Sequence, residues 1–304
     1  MEGQNDLISM SVLPNDLLRV IFSQLGRSDK VSVAMVCKRW LALSDFPEAS
    51  GLSISVGHCL CNVGIDEHGD AWLQVCLCKD HGSMASLSWF LPYFARSTET
   101  FSLEDDLVSG ERISNDDIFV LLAGCAHAQL KKANFIKVDF GDVKPWTLAL
   151  LANCSNLNEI IYEDCLFPNG IEVERFLIRI MTTSFECLST IKITNCNMVT
   201  DGLARSVARR CPLLEDFTVS GCKSVTSHSA LSLLESSRLR KPTMLTTHME
   251  NTSFDVNQLY RQIQSPYFCE PGTWKLMPMA IRIGYEKAAV MAQSTNQTCV
   301  LIYV

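Results

Sequence analysis

The stretch LSTIKITNCNMVTDGLARSVARRCPL, residues 188–213, runs directly into LEDFTVSGCKSVTSHSALSLLESSRL, residues 214–239, and the two align at an offset of 26. Leu188, Ile191, Ile193, Cys196 and Val199 fall on Leu214, Phe217, Val219, Cys222 and Val225. Apolar residues at every second position put their side chains on one face of a short strand. The cysteine after each strand reads as a small hydrophobe turned inward. A helical piece then returns the chain to the next strand. A unit this small cannot hide its own apolar face, so the copies must stack, with their strands parallel and side by side.

Working upstream, Leu157, Ile160, Tyr162 and Cys165 begin a copy 31 residues earlier, and Leu130, Ala133 and Phe135 begin another 27 earlier again. Glu99-Thr100-Phe101-Ser102-Leu103 reads as the strand before that. The copy at Leu130 lacks the strand cysteine, and the copy at Leu157 has Pro168-Asn169-Gly170 where the Thr200-Asp201 turn would fall. The pattern resembles the cysteine-containing class of leucine-rich repeats. The resemblance is plainest in Cys196-x-x-Val199-Thr200-Asp201 and Cys211-Pro212-x-Leu214, and looser in Ile113-Ser114-Asn115-Asp116 running to Cys125. It implies an α/β solenoid over residues 98–238, with parallel strands on the concave side and helices outside.

Strand alternation turns the residues beside the core positions to solvent: Lys132, Asn134 and Ile136; Glu159, Ile161 and Glu163; Thr190, Lys192 and Thr194; Asp216, Thr218 and Ser220. From these, Asn134, Ile136, Glu159, Ile161, Glu163, Lys192, Thr194, Asp216 and Thr218 are the candidate contacts to a protein substrate. Ordinary solvated positions are the competing reading. Downstream, residues 239–304 form a degenerate last repeat, cap and tail. There Met244-Leu245-Thr246 reads as a strand and Val256 to Ile263 as a helix, and Pro266, Pro271-Gly272 and Pro278 interrupt the chain beyond them. Ile281 to Ala292 reads as a short helix and Cys299 to Val304 as a strand.

Residues 47–97, an irregular linker or first repeat, contain Cys59-x-Cys61 and Cys76-x-Cys78 with His58, His68 and His81 nearby. Four thiolates can satisfy tetrahedral zinc, yet C-x-C is tighter than the usual ligand spacing. Trp72, Gln74, Cys76 and Cys78 alternate with Leu73, Val75 and Leu77 as in a half-buried strand, which favours a hairpin and no metal.

At the other end, residues 13–43, LPNDLLRVIFSQLGRSDKVSVAMVCKRWLAL, read as three short helices. Leu13, Leu17, Ile21 and Leu25 recur every four residues with Leu18 and Phe22 beside them. Pro14 suits a first-turn position, Gly26 a left-handed stop, and Ser28-Asp29 a cap for the second helix. A trio this apolar, only about 30 residues long, is below the size that folds unaided and must dock on something. Leu13-Pro14, Asp16-Leu17-Leu18, Ile21-Phe22, Leu25, Asp29 and Val36-Cys37-Lys38-Arg39-Trp40 resemble, in order and spacing, the F-box motif.

The resemblance assigns residues 11–46 to an F-box, after a flexible N-terminus at 1–10. It implies binding to the Skp adaptor of SCF (Skp–cullin–F-box) ubiquitin ligases, and through it to the cullin–RING scaffold. Leu13, Pro14, Leu17, Ile21, Val36, Cys37 and Trp40 are the expected adaptor contacts, with Leu18, Phe22 and Leu25 holding the trio together. Repeats after an F-box imply a substrate receptor; a repeat scaffold that binds the adaptor without directing degradation is the second reading.

Composition narrows the rest. With 26 basic and 33 acidic residues the formal charge is −7, which argues against broad attraction to nucleic acid or anionic membrane. No stretch reaches the roughly 18 apolar residues of a membrane span, and the N-terminus lacks a signal-peptide pattern. The chain is therefore expected in the cytoplasm, the nucleus or both. Thiols stay reduced there, so its 14 cysteines are not expected to form a disulfide framework. No nucleophile elbow, phosphate loop or HExxH pair appears, and Cys211 beside Arg209-Arg210 is explained as repeat core. The expectation is a non-catalytic subunit without a cofactor.

Overall fold

The computed structural model describes residues 12–44, 51–56, 62–65, 71–77, 98–105, 116–118, 120, 129–141, 143–144, 147, 154–167, 187–196, 199–237, 244–249, 252–263, 274–279, 289–294 and 299–303. Among them is a mixed α/β architecture: a helical trio at the N-terminus, then one sheet carrying helices.

Helices α1 (Asn15–Ser23), α2 (Arg27–Val36) and α3 (Lys38–Leu43) form the trio. Leu18, Phe22 and Leu43 are its buried centre, with Leu13, Leu25, Val33 and Trp40 packed around them. The rings of Phe22 and Trp40 lie 5.3 Å apart and tilted, a geometry that adds to their area burial. Three expected end signals fall elsewhere. Pro14 sits at the cap, one residue before the first turn, and its carbonyl accepts the Leu18 N–H at 3.1 Å. Gly26 has φ −63°, which is not left-handed, because so short a link makes it the cap of α2, where its carbonyl accepts the Lys30 N–H at 3.1 Å. Ser28 and Asp29 consequently lie inside the first turn of α2 and do not cap it.

The sheet contains β1 (Gly51–Val56), β2 (Asn62–Ile65), β3 (Ala71–Leu77), β4 (Thr100–Asp105), β5 (Lys132–Ile136) and β6 (Glu159–Glu163). It continues through β7 (Thr190–Thr194), β8 (Asp216–Ser220), β9 (Met244–His248), β10 (Trp274–Met279), β11 (Ala289–Ser294) and β12 (Cys299–Tyr303). From β4 to β9, six successive strands are parallel neighbours; β1 continues the parallel run on one side and β12 on the other. The 26-residue offset is realised as register, since Ile191 faces Phe217 and Ile193 faces Val219. Burial alternates along β4 to β8, and the inward side chains include a stacked pair, Phe135 on Tyr162, with ring centroids 5.3 Å apart.

Helices α4 (Asp201–Arg210), α5 (Ser227–Ser237) and α6 (Val256–Ile263) come after β7, β8 and β9 and pack on one another in turn. Thr200 caps α4 by accepting the Gly202 N–H at 3.2 Å, Asp201 is in its first turn and Arg209-Arg210 in its last, so both dipole ends are complemented. Most residues where helices are expected between β4 and β7 lie outside those described. At the ends of the sheet, β2 and β3 pair antiparallel, while β10, β11 and β12 form an antiparallel meander. Two expectations for the tail are corrected. Residues 289–292 are strand, not helix, because sheet pairing on both sides overrides local preference. Pro278 lies inside β10, which tolerates it because β10 is the edge of the sheet. Residues 281–288 lie outside the described set. No described helix is long and apolar enough to cross a membrane.

Candidate functional site

Two surfaces carry the candidate residues. On the trio, burial of Leu18 and Phe22 turns the opposite side of α1 outward. Leu17, Val20, Ile21 and Val36 remain 53%, 61%, 38% and 58% exposed. Burying the part that remains exposed would gain roughly half of the about 1.5–3 kcal/mol of a fully buried side chain at each position, so covering this side of the trio is favourable. Leu13, Cys37 and Trp40 are half-buried and Pro14 is exposed. Trp40 therefore serves the trio's core as well as any contact. Val20 is not among the contacts expected from the sequence; its i+3 relation to Leu17 is the signal that points to it.

Arg39 positions this surface. Its Nε donates to Asn15 Oδ1 at 2.9 Å and its guanidinium also donates to the Leu13 carbonyl, fastening α3 to the start of α1. On the outer face of the trio, Asp16 and Arg19 form an exposed i,i+3 pair at 3.4 Å, a geometry that contributes little. α2 also lies against β2, so part of the trio's surface is covered from within the chain.

The second surface is the outward face of the parallel strands. Lys132, Asn134, Ile136, Glu159, Ile161, Thr190, Lys192, Thr194, Asp216, Thr218 and Ser220 are half-buried there and Glu163 is exposed. Parallel register makes residues at equal heights lateral neighbours, and several charges use that proximity. Lys132 pairs with its register partner Glu159 at 3.1 Å; Lys192, which faces Thr218, reaches diagonally to Asp216 at 3.7 Å, while Thr218 Oγ1 donates to Asp216 Oδ1 at 3.0 Å. At the strands' C-terminal ends the register instead sets Glu104, Ile136 and Glu163 side by side. Neither glutamate has an ion pair among the described residues.

Behind that row the chain turns the same way after four strands. Lys137, Asp164, Asn195 and Gly221 have φ of 54°, 52°, 55° and 68°, in the left-handed region. Asn195 Nδ2 donates to Asp164 Oδ1 at 2.9 Å, joining two of these turns. The cysteines beneath are core. Cys165, Cys196 and Cys222 are buried, and their thiols donate to carbonyls of Glu163, Thr194 and Ser220. Burial pushes the Cys222 thiol up to about 12 and the Cys154 thiol up to about 11, while the neighbouring Cys165 thiol and then burial hold Cys196 protonated. Cys154, Cys196 and Cys222 therefore do not resemble activated nucleophiles, which need the opposite shift. The zinc candidates Cys59, Cys61 and Cys78, with His58, His68 and His81, lie outside the described residues; among those described, no group of three metal-ligating side chains converges.

Compared with known protein families, residues 10–48 match the F-box domain. No curated protein matches the chain. The family match covers the helical trio and supports reading it as an F-box.

Proposed function

We propose that this protein is the substrate-recognition subunit of an SCF ubiquitin ligase, using the trio to bind the Skp adaptor and the exposed sheet face to bind a protein substrate. The observation that carries the reading is the coincidence of the F-box match with the uncovered apolar surface of Leu17, Val20, Ile21 and Val36. F-box subunits have no ubiquitin-transfer chemistry of their own. Their contribution is proximity, presenting a substrate lysine to the charged ubiquitin carrier held elsewhere in the complex. The adaptor in turn connects the chain to the cullin–RING scaffold, in the cytoplasm, the nucleus or both.

In this reading the parallel strands and their helices are a leucine-rich-repeat solenoid, supported by the 26-residue register and by the buried cysteines just after β6, β7 and β8. Its concave side would be the strand face bearing Asn134, Ile136, Glu159, Ile161, Glu163, Lys192, Thr194, Asp216 and Thr218. Co-expression with a Skp adaptor tests the first half. The wild-type chain should co-purify as a stable complex, and Leu17→Ala with Ile21→Ala should abolish it while leaving the fold intact. Failure of the wild type to co-purify would sink the proposal.

A repeat scaffold that engages the adaptor without directing degradation is the second reading, and the same F-box match supports it equally. Knockdown separates the two, because a receptor leaves at least one bound partner with a lengthened half-life and a scaffold leaves none.

A further inference from the structure

We infer that the row Glu104, Ile136 and Glu163, with Ile161 beside it, takes a basic, partly apolar extended segment of a protein partner. The inference rests on reading the outward strand face as the substrate surface, and it names the chemistry of what binds there. Charge on this face is unevenly spent. Lower on the strands, Lys132 pairs with Glu159 and Lys192 with Asp216, so those groups neutralise one another across neighbouring strands. An incoming charged segment gains little by displacing such pairs.

The C-terminal row differs. Glu104 and Glu163 flank Ile136 in register, two strand spacings or about 10 Å apart, and neither carries an ion pair among the described residues. On the turns just beyond, Lys137 adds one positive and Asp164 one negative charge, so the rim remains acidic. Asp164 already accepts the Asn195 amide, which holds its carboxylate in place. Between the two glutamates Ile136 is half-buried, with Ile161 next to it one step down β6, offering apolar contact to the stems of lysine or arginine. Charge complementarity then selects an extended segment of polyproline II type, in which side chains three residues apart share one side at a spacing of about 9 Å, with basic residues at those positions and apolar residues between them. A formal charge of −7 on the whole chain steers such a segment towards it.

Fluorescence anisotropy on the full-length chain tests this with a short labelled peptide carrying lysine at every third position and valine and serine between, against the same peptide with glutamate for lysine. The lysine peptide should bind and the glutamate peptide should not. Glu104→Gln with Glu163→Gln should weaken binding about tenfold, the size expected for two rim charges. Ile136→Ser should weaken it as well. Asp16→Asn with Glu215→Gln, which removes the same charge elsewhere, should leave it unchanged. The inference is overturned if the lysine peptide does not bind, if the glutamate peptide binds as tightly, or if the double glutamine variant matches wild type. It is overturned too if the distant control loses as much, since bulk charge would then explain everything. Adaptor co-purification is independent of this assay, so loss of that complex with peptide binding retained would overturn the receptor reading alone.

Discussion

The carboxylate of Asp201, at the start of α4, receives the backbone N–H of Thr226 at 2.8 Å and its hydroxyl at 2.6 Å, tying one strand–helix unit to the next. Ser229 donates a third hydrogen bond at 2.5 Å. The same device recurs: Asp116 accepts the Lys144 N–H at 2.9 Å, and Ser227 accepts the Asp255 N–H at 2.9 Å. Each bond spans neighbouring units, so it holds their stacking in place. Burial alone would raise the Asp201 carboxyl, but the hydrogen bonds from Ser229 and Thr226, with His228 nearby, hold it below the ordinary carboxylate range.

Asp201→Ala is therefore expected to cost about 2 kcal/mol, since it leaves several donors without their charged acceptor. The lowered folded value sets the pH dependence. Stabilisation by Asp201 is fully present above the unfolded carboxyl pKa of about 3.9 and is lost as pH falls through the lower folded one. Urea midpoints of wild type and variant should differ by a constant amount from neutral pH down to about 5 and converge below about 4. A gap that persisted under acid would show that ionisation is not the source.

Gly221 combines φ of 68° with a neighbour that leaves no room: a Cβ there would meet Asn195 Oδ1 at 2.0 Å. Gly221→Ala should destabilise by about 2–3 kcal/mol, part from the left-handed backbone and part from the clash. In an Asn195→Gly background, which removes the clashing side chain, the same change should cost only about 1 kcal/mol. Equal costs in both backgrounds would refute the steric account.

The two sides of α1 should respond differently to truncation. Phe22 is buried against Trp40, so Phe22→Ala should cost about 3–5 kcal/mol and melt the trio. Leu17→Ala with Ile21→Ala should leave the melting curve within about 0.5 kcal/mol of wild type, because both side chains are already exposed. Trp40→Ala is a poor probe of partner binding for the same reason that Phe22→Ala is: it removes core packing.

Arg39 reaches Asn15 and the Leu13 carbonyl at once, a forked demand that a lysine ammonium cannot reproduce. Both Arg39→Ala and Arg39→Lys should loosen the α1–α3 contact, by about 1 kcal/mol, and weaken adaptor binding. Restoration of wild-type binding by lysine would show that charge alone suffices.

Thiol reactivity should track burial. Cys187 is exposed, whereas Cys154, Cys165, Cys196, Cys211 and Cys222 are buried. Site-resolved mass spectrometry after brief alkylation near neutral pH should find Cys187 modified and those five protected until denaturant is added. Rapid native labelling of Cys196 or Cys222 would contradict their placement in the core.

Local sequence carries a great deal of this. A period-two pattern needs nothing beyond its own strand, so β5 to β9 and the inward cysteines Cys165, Cys196 and Cys222 are legible from spacing, as is α6 from its helical period. The F-box trio is legible because its order of apolar, acidic and basic-aromatic residues is dense over a short span. Helix ends are less so: Gly26 and Ser28-Asp29 carry generic capping chemistry, and which residue caps depends on how short the link between α1 and α2 is.

Other features exist only once the chain is assembled. Residues 289–292 have an ambiguous pattern, and their strand state comes from neighbours on both sides. Lys132 is 27 residues from Glu159 and Lys192 is 24 from Asp216, so their pairing is invisible along the chain and arises only once the strands lie side by side, directly across for Lys132 and diagonally for Lys192. Of the mixed row of outward candidates, that pairing leaves Ile136 and Glu163 on one acidic, apolar edge, to which strand register adds Glu104, a residue not among the sequence candidates. Sequence by itself determined which side chains face in and which face out, because alternation is local. Which outward charges stay available to a partner was decided by tertiary structure, because lateral distance between strands, not distance along the chain, sets who neutralises whom.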